Sequence, residues 1–405
     1  MADSSTLLRP SRVDINFKPL GVALLLIALG ALYLTQAVSA RQAALYVVGA
    51  LLGVALYHAA FGFTSAWRVF IADGRGAGLR AQMGMLALGV LLFFPVLASG
   101  TLFGNPVSGL VSPAGTSVIV GAFIFGIGMQ LGGGCASGTL YTVGGGSTRM
   151  LVTLAFFIVG SLIGTAHMPF WMAQPQLAPT SLVKVLGLAP ALVLNLSVFA
   201  LIAALTVFVE KRRHGRLVHP ELRPVQGSRW LNGPWPLLAG AVALVLLNFT
   251  TLALAGRPWG VTSAFALWGA KAASAAGIDV AGWTYWSSPA QAAALNAPLS
   301  NDVTTVMDIG IVLGAMLAAA LAGRYAPVWR LPLRSLAAAV VGGLLLGYGA
   351  RLAYGCNIGA YFSGILSGSL HGWLWLVAAF IGNVFGTRFR PWFGLEVERV
   401  KNTGC

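Results

Sequence analysis

Charge is scarce in this sequence: Asp, Glu, Lys and Arg make up 9% of 405 residues, while 57% are hydrophobic. That excludes an ordinary soluble domain, in which about a quarter of residues are charged. Cysteine is scarce too. The three cysteines have no close spacing and form no Cys-x-x-Cys, which argues against a disulfide framework, a zinc site and the common redox motif. There is no glycine-rich phosphate loop, so a nucleotide is not the expected energy source, and no cofactor is expected. Acidic residues are few, leaving a net charge of +15. Nucleic acid is not implied as a partner, because the basic residues sit between apolar runs, where they orient a membrane protein. The first 18 residues are polar and no small-x-small cleavage site follows a short apolar stretch, so no removable signal peptide is expected.

What the sequence does have is a succession of apolar runs of about 18 residues or more, each long enough to cross a lipid bilayer. Ten spans are expected, at 19–38, 42–61, 82–99, 115–131, 150–168, 189–209, 236–255, 303–322, 333–350 and 371–388. The N-terminal tail 1–18 carries Arg9, Arg12 and Lys18 and is placed in the cytoplasm. Alternation then puts 73–81, the basic linker 210–234, 323–332 and the tail 391–405 on the same side, and the uncharged loop 100–114 outside. Only Arg41, Lys184, Arg257 and Lys271 fall outside, with Arg68 and Arg351 in broken segments. The tryptophans Trp171, Trp230, Trp235, Trp259 and Trp392 read as interfacial belt residues.

Between the linker and the tails the chain falls into two halves, 19–209 (core 42–168) and 235–390, each carrying the same signals. Gly126, Gly128, Gly134, Cys135 and Gly138 align with Gly347, Gly349, Gly355, Cys356 and Gly359. Gly62-Phe63-Thr64-Ser65-Ala66 after the second span matches Gly260-Val261-Thr262-Ser263-Ala264 after the seventh. Each Gly-Cys segment precedes a helix with Gly-x-x-x-Gly-Thr, at Gly160, Gly164 and Thr165 and at Gly382, Gly386 and Thr387, a spacing that lets helices pack closely in lipid. The second span runs inward and the seventh outward, so the halves are inverted, as in many transporters. The four broken segments are too short to span and too apolar for solvated loops. The expected fold is therefore an all-α polytopic membrane protein of about ten transmembrane helices in two inverted repeats, with four short re-entrant half-helices meeting at mid-membrane.

A helix starting at membrane depth leaves N–H groups unpaired, and these favour an anion. Thr64, Ser65, Thr262 and Ser263 lie where such helices would begin, as do Ser137, Thr139 and Asn357. Converging helix starts would hold an anion without the cost of a buried lysine or arginine. Gly134, Gly138, Gly355 and Gly359 would let the backbone approach it. The thiols of Cys135 and Cys356 are soft, weak donors suited to a sulfur-bearing ligand. The plainer alternative is that a free cysteine merely packs, and the repeat placement favours function. Cys405, last in a polar tail, is taken as incidental. Arg351 aligns with Gln130 and either draws anions to the outer mouth or snorkels. Asp308 is either a coupling group for a proton or cation, or a complement to the helix dipole.

These residues resemble the YeeE/YedE family of sulfur-transport proteins, over about 45–390 and most closely at Gly132–Gly138 and Gly355–Gly359. The resemblance implies a bacterial inner-membrane protein, not an enzyme, that imports thiosulfate along a narrow hourglass-like path closed by short central helices. It implies that the thiols of Cys135 and Cys356 hydrogen-bond the passing anion and hand it on. Some members carry a further cysteine in the first short hairpin; here Phe63–Trp67 has none, which leaves a two-thiol path. A small cytoplasmic sulfur carrier of the TusA type is implied as a partner, and a selenium compound is the alternative cargo. Of a different class would be a membrane thiol–disulfide enzyme using Cys135 and Cys356, which requires the sulfurs within disulfide distance. A neutral-solute pore would leave the cysteines as packing alone.

Overall fold

The computed structural model describes residues 14–218 and 228–397. Arg9, Arg12, Arg223 and Cys405 lie outside the described residues. The chain begins with α1 (Phe17–Ala37), α2 (Ala40–Ala59), the short α3 (Phe63–Asp73) and α4 (Ala77–Ser99). A small hairpin of β1 (Thr101–Leu102) and β2 (Asn105–Pro106) follows. Next come β3 (Ala114–Gly115), α5 (Thr116–Gly132), the short α6 (Ala136–Gly144), α7 (Thr148–Met172) and β4 (Gln176–Leu177), which pairs with β3. Then α8 (Leu182–Leu186), α9 (Leu188–His214) and α10 (Arg229–Asn232) lead to α11 (Leu237–Ala255), α12 (Thr262–Ala275) and α13 (Pro289–Asn296). The chain finishes with α14 (Val303–Leu321), α15 (Leu333–Leu352), a π-helical turn Asn357–Phe362 that runs into α16 (Ser363–Leu366), and α17 (Leu370–Phe389).

Among the described residues ten helices are long and apolar enough to cross a membrane. They coincide with the ten expected spans, with ends displaced by a few residues. Helix is the required form, since lipid offers no partner for a bare N–H or C=O. Burial sorts the helices into shells. The spans containing α1 and α9 are 11% and 17% buried, and those containing α2, α5 and α14 are each 67% buried. The first two therefore face lipid, with Val193, Leu201 and Phe208 exposed along α9, and the last three enclose the centre.

Helix ends gather on two faces. On one, Asn16 N–H donates to Ala320 O, Trp235 N–H to His58 O and Gly76 N–H to Glu210. Arg80 reaches the same buried Glu210 carboxylate at 2.6 Å. On the other, Leu110 N–H donates to Ser367 Oγ, Ser108 N–H to Gly256 O and Leu182 N–H to Gly368 O. Arg75 and Arg324 lie in connections of the first face, and Arg80, Lys211 and Arg213 in the helix ends beside them.

The aligned glycines act as packing surfaces. The stretches Gly126–Gly132 and Gly347–Leu352 are the last turns of α5 and α15, in keeping with spans expected to reach 131 and 350. A Cβ at Gly160 on α7 would strike the Leu344 carbonyl of α15, and one at Gly382 on α17 would strike the Phe123 carbonyl of α5. Gly126 and Gly347 press against partner backbones in the same two seams, and Gly128 and Gly349 do so where α5 meets α15. A third seam, not foreseen, joins α2 to α14 through Gly49, Gly53, Gly310 and Gly314. Without a hydrophobic drive between helices in lipid, such backbone approach supplies the contact energy. Trp259, expected at the interface, is fully buried instead. Its carbonyl accepts from Ser363 Oγ and its N–H donates to Asn248.

Candidate functional site

The two cysteines are the N-caps of the two short helical segments. Cys135 precedes α6 in extended backbone, and its Sγ accepts the Gly138 N–H at 3.4 Å. Cys356 precedes the π-helical turn, and its Sγ accepts the Ile358 N–H at 3.4 Å. The Ser137 hydroxyl adds a 3.4 Å contact to Cys135 Sγ. Both thiols are free and buried. Segment α6 packs on the π-helical turn. Gly355 sets the geometry of the second turn. Its φ of +152° is open to glycine alone, and a Cβ there would lie 2.8 Å from the Ala360 nitrogen. Gly134 likewise packs directly on the Gly138–Thr139 backbone.

The cap assignment corrects the expected register. Gly62 and Val261 are the N-caps of α3 and α12, with no side-chain cap bond, so Thr64, Ser65, Thr262 and Ser263 lie inside the first turns. Ser65 Oγ donates to Gly62 O and Ser263 Oγ to Thr304 Oγ1. Thr139 Oγ1 donates back to Cys135 O at 2.9 Å, so it braces the turn and does not cap it. Thr262 is buried in the first turn of α12.

Beside the cysteines there is unfilled space. Gly359 is buried, yet an added Cβ would have no heavy atom within 4 Å. A Cβ at Gly138 would touch only Cys135 Sγ, at 3.5 Å. Asn357 is fully buried and neither its Oδ1 nor its Nδ2 has a partner. The Thr64 and Tyr361 hydroxyls and both Asp308 oxygens are also buried without partners. Buried amides and hydroxyls are normally bonded, and an unmade bond costs about 1–3 kcal/mol. These atoms are therefore available to something that enters. Tyr361 stacks on Trp375 at 6.2 Å and meets Phe63 and Trp67 edge-on, which closes the centre with aromatic rings.

A cavity lies at each end. On the face of Ser112 and Thr284, a cavity of 440 Å³ is lined by Arg351, Tyr354 and Tyr285. The Arg351 guanidinium donates to the Tyr285 hydroxyl at 3.0 Å and sits 5.9 Å from that ring's centre. On the opposite, basic face, a cavity of 270 Å³ is lined by Tyr141, Thr142, Gly145 and Arg149, at the far end of α6 from Cys135. Gln130, aligned with Arg351, does not face either of these cavities. Its Nε2 donates to Thr64 O at 3.2 Å and to Asn383 Oδ1 at 2.5 Å, its Oε1 accepts from Arg68 at 3.4 Å, and its carbonyl accepts from Arg390 at 2.6 Å. Arg149 caps the end of α5 by donating to Leu131 O and Gly132 O.

Residues 58–385 match the protein family described as Sulphur transport. The chain belongs to that family. Its relatives include a thiosulfate transporter, TsuA, of Spirochaeta thermophila, 29% identical over 83% of this chain and 95% of the relative. A thiosulfate transporter TsuA of Escherichia coli is 25% identical over 83% of this chain and 91% of the relative. A probable transporter, YedE, of Escherichia coli is 33% identical over 42% of each chain. The family match covers both cysteine turns and the glycine seams that α5, α7, α15 and α17 make. Asn248, whose Nδ2 donates to Ser363 Oγ of α16, and Asn383, whose Oδ1 accepts from Gln130 of α5, gave no sign in the sequence. Each is a single polar residue in an apolar run, and its partner is distant in sequence.

Proposed function

We propose that this protein carries a sulfur-containing anion, thiosulfate, across the membrane. The path runs from the Arg351 cavity past Cys356 and Cys135 to the Arg149 cavity. The observation that carries the reading is the pairing of two free thiols at the starts of two short helices, beside the space at Gly359, between cavities on opposite faces. The starts offer N–H groups to an anion, the thiols offer weak S–H donors matched to a soft terminal sulfur, and Asn357 offers an amide. Arg351 collects the anion by charge at the mouth. Ser137, Gly134, Gly138 and Gly355 shape the two turns, and Thr64 closes the path from α3. Thr139 and Gln130 hold the frame, as do Ser65, Thr262 and Ser263.

The halves 19–209 and 235–390 are proposed to be inverted repeats, with α3, α6, α12 and the π-turn with α16 as re-entrant segments. In support, α7 lies on α15 as α17 lies on α5, and α5 on α15 joins the halves. We place the protein in the bacterial inner membrane with the basic face and both termini inside. A small TusA-type sulfur carrier would receive the anion on that face.

The test is uptake of labelled thiosulfate by proteoliposomes of the purified protein, with sulfate, selenite and sulfide as competitors. Saturable uptake blocked by excess thiosulfate but not by sulfate is expected. Absence of any thiosulfate flux, or equal block by sulfate, would overturn the substrate reading.

A further inference from the structure

Asp308 is the buried acid for which the path just described has no use. It lies on α14, fully buried, with both carboxylate oxygens unpartnered. Its position excludes the ordinary explanation for an acid near a helix start. It is the sixth residue of α14, beyond the first turn, and the capping task belongs to Asp302. Asp302 Oδ2 accepts the Thr305 N–H and hydroxyl, both at 2.7 Å. A structural role therefore leaves Asp308 unexplained.

Its surroundings tie it to the path. Helix α14 packs on α6, whose N-cap is Cys135. No cation bonds the carboxylate: Arg257, in the connection after α11, donates to Thr304 Oγ1 one turn before Asp308, and neither Asp308 oxygen has a hydrogen-bond partner. On α2, Arg41 lies at the opposite end from His58 and Tyr57, and Tyr46 donates its hydroxyl to Leu26 O. On α12, Lys271 is engaged by Leu295 O. On α6 the ionisable group is Tyr141, on α1 Lys18 at the helix start and Tyr33, and on α10 Arg229 at the basic face. An unpaired buried carboxylate is strongly disfavoured, so the resting group is the neutral acid.

We propose that Asp308 is the proton-binding group of this transporter, loading one proton from the outer side and releasing it to the inner side with each anion carried. This rests on the transport reading above. An anion beside the cysteine turns keeps the proton on the acid, because two adjacent negative charges repel. By reciprocity the protonated acid favours the anion. When the anion leaves to the inner side and water enters, the acid ionises and gives up its proton there. No bond of the anion is made or broken. One proton moving with a divalent anion leaves one net negative charge entering per cycle.

The experiment uses proteoliposomes of the full chain and labelled thiosulfate, with Asp308→Asn in parallel. An acid-outside gradient of about one pH unit is expected to raise accumulation about tenfold, the response of one coupled proton. In D308N that response is expected to vanish. An infrared difference spectrum, intact protein minus D308N, is expected to show the C=O band of a protonated carboxylic acid. Accumulation that ignores the gradient in the intact protein, a response retained in D308N, or absence of the band would each overturn the proposal. A sodium gradient that replaces the proton gradient would also overturn it. Absence of thiosulfate flux in the intact protein would sink the substrate reading alone, and the infrared band would still decide the state of Asp308.

Discussion

Cys135 and Cys356 occupy the same structural position: each is the N-cap of a short helix, and each Sγ accepts a backbone N–H at 3.4 Å, from Gly138 and from Ile358. A thiol is a poor substitute for serine as a cap, so holding it at both starts costs helix stability that a hydroxyl would recover.

That relationship separates stability from transport. Cys135→Ser and Cys356→Ser are expected to leave the melting temperature equal or higher, since serine caps well. Each is expected to lower thiosulfate uptake by about tenfold or more, the worth of one hydrogen bond to a charged ligand. Thermal melting in detergent beside vesicle uptake checks both halves. Flux preserved in both variants would reduce the cysteines to packing.

Gly355 and Gly359 stand in the same turn and should answer differently to one methyl. Gly355→Ala forces a side chain onto a φ of +152° and into the Ala360 backbone, and should destabilise the protein by about 1–3 kcal/mol. Gly359→Ala meets empty space and should leave the melting temperature within about a degree or two, because nothing is displaced. Its methyl fills the void beside Cys356, so uptake should fall while the fold stands.

The seams predict a matched pair. Gly160→Val on α7 and Gly382→Val on α17 each drive a side chain into a carbonyl of the partner helix. Each should cost about 1–3 kcal/mol by overpacking. Gly84→Ala, where nothing lies within 4 Å, is the control and should be neutral. Melting curves of the three variants decide.

At the cavity on the Ser112–Thr284 face, Arg351→Gln keeps a donor for Tyr285 and removes the charge. Uptake should show a KM raised about two- to fivefold at low salt, from the loss of one charge acting through solvent. The difference should shrink as salt rises toward about 0.15 M, while Vmax stays near the original. A change in Vmax alone would place Arg351 outside anion capture.

Ten spans were legible because an apolar run of the right length has one stable form in lipid. The cysteine turns were legible because glycine recurred around them in register. The cap register was not: Thr and Ser are the usual caps, and nothing local marks Gly62 or Val261 as the residue that leaves the helix. The glycines of Gly126–Gly132 and Gly347–Leu352 gave no sign of the backbone they meet, because a seam and a break use the same residue. Only the partner helix tells them apart. The α2–α14 seam was missed for the same reason, as its glycines repeat across the two halves in no common frame. Residues 276–302, where α13 lies over α12 and Trp286 Nε1 donates to Thr165 Oγ1, read only as a loop. Their small residues carry no helical period.

Gln130 ties α5 to Thr64 of α3 and to Asn383 of α17, and Arg390 holds its carbonyl. A rigid swing of the first half against the second would have to break the bonds to Asn383 and Arg390 together, at a buried place. The frame is therefore anchored on the basic side, and what yields to a passing anion is the part with least backbone holding it, the cysteine turns and the aromatic lid at Tyr361. Passage would resemble a bead pressed through a fixed ring with a soft lining more than a gate rocking on its hinge.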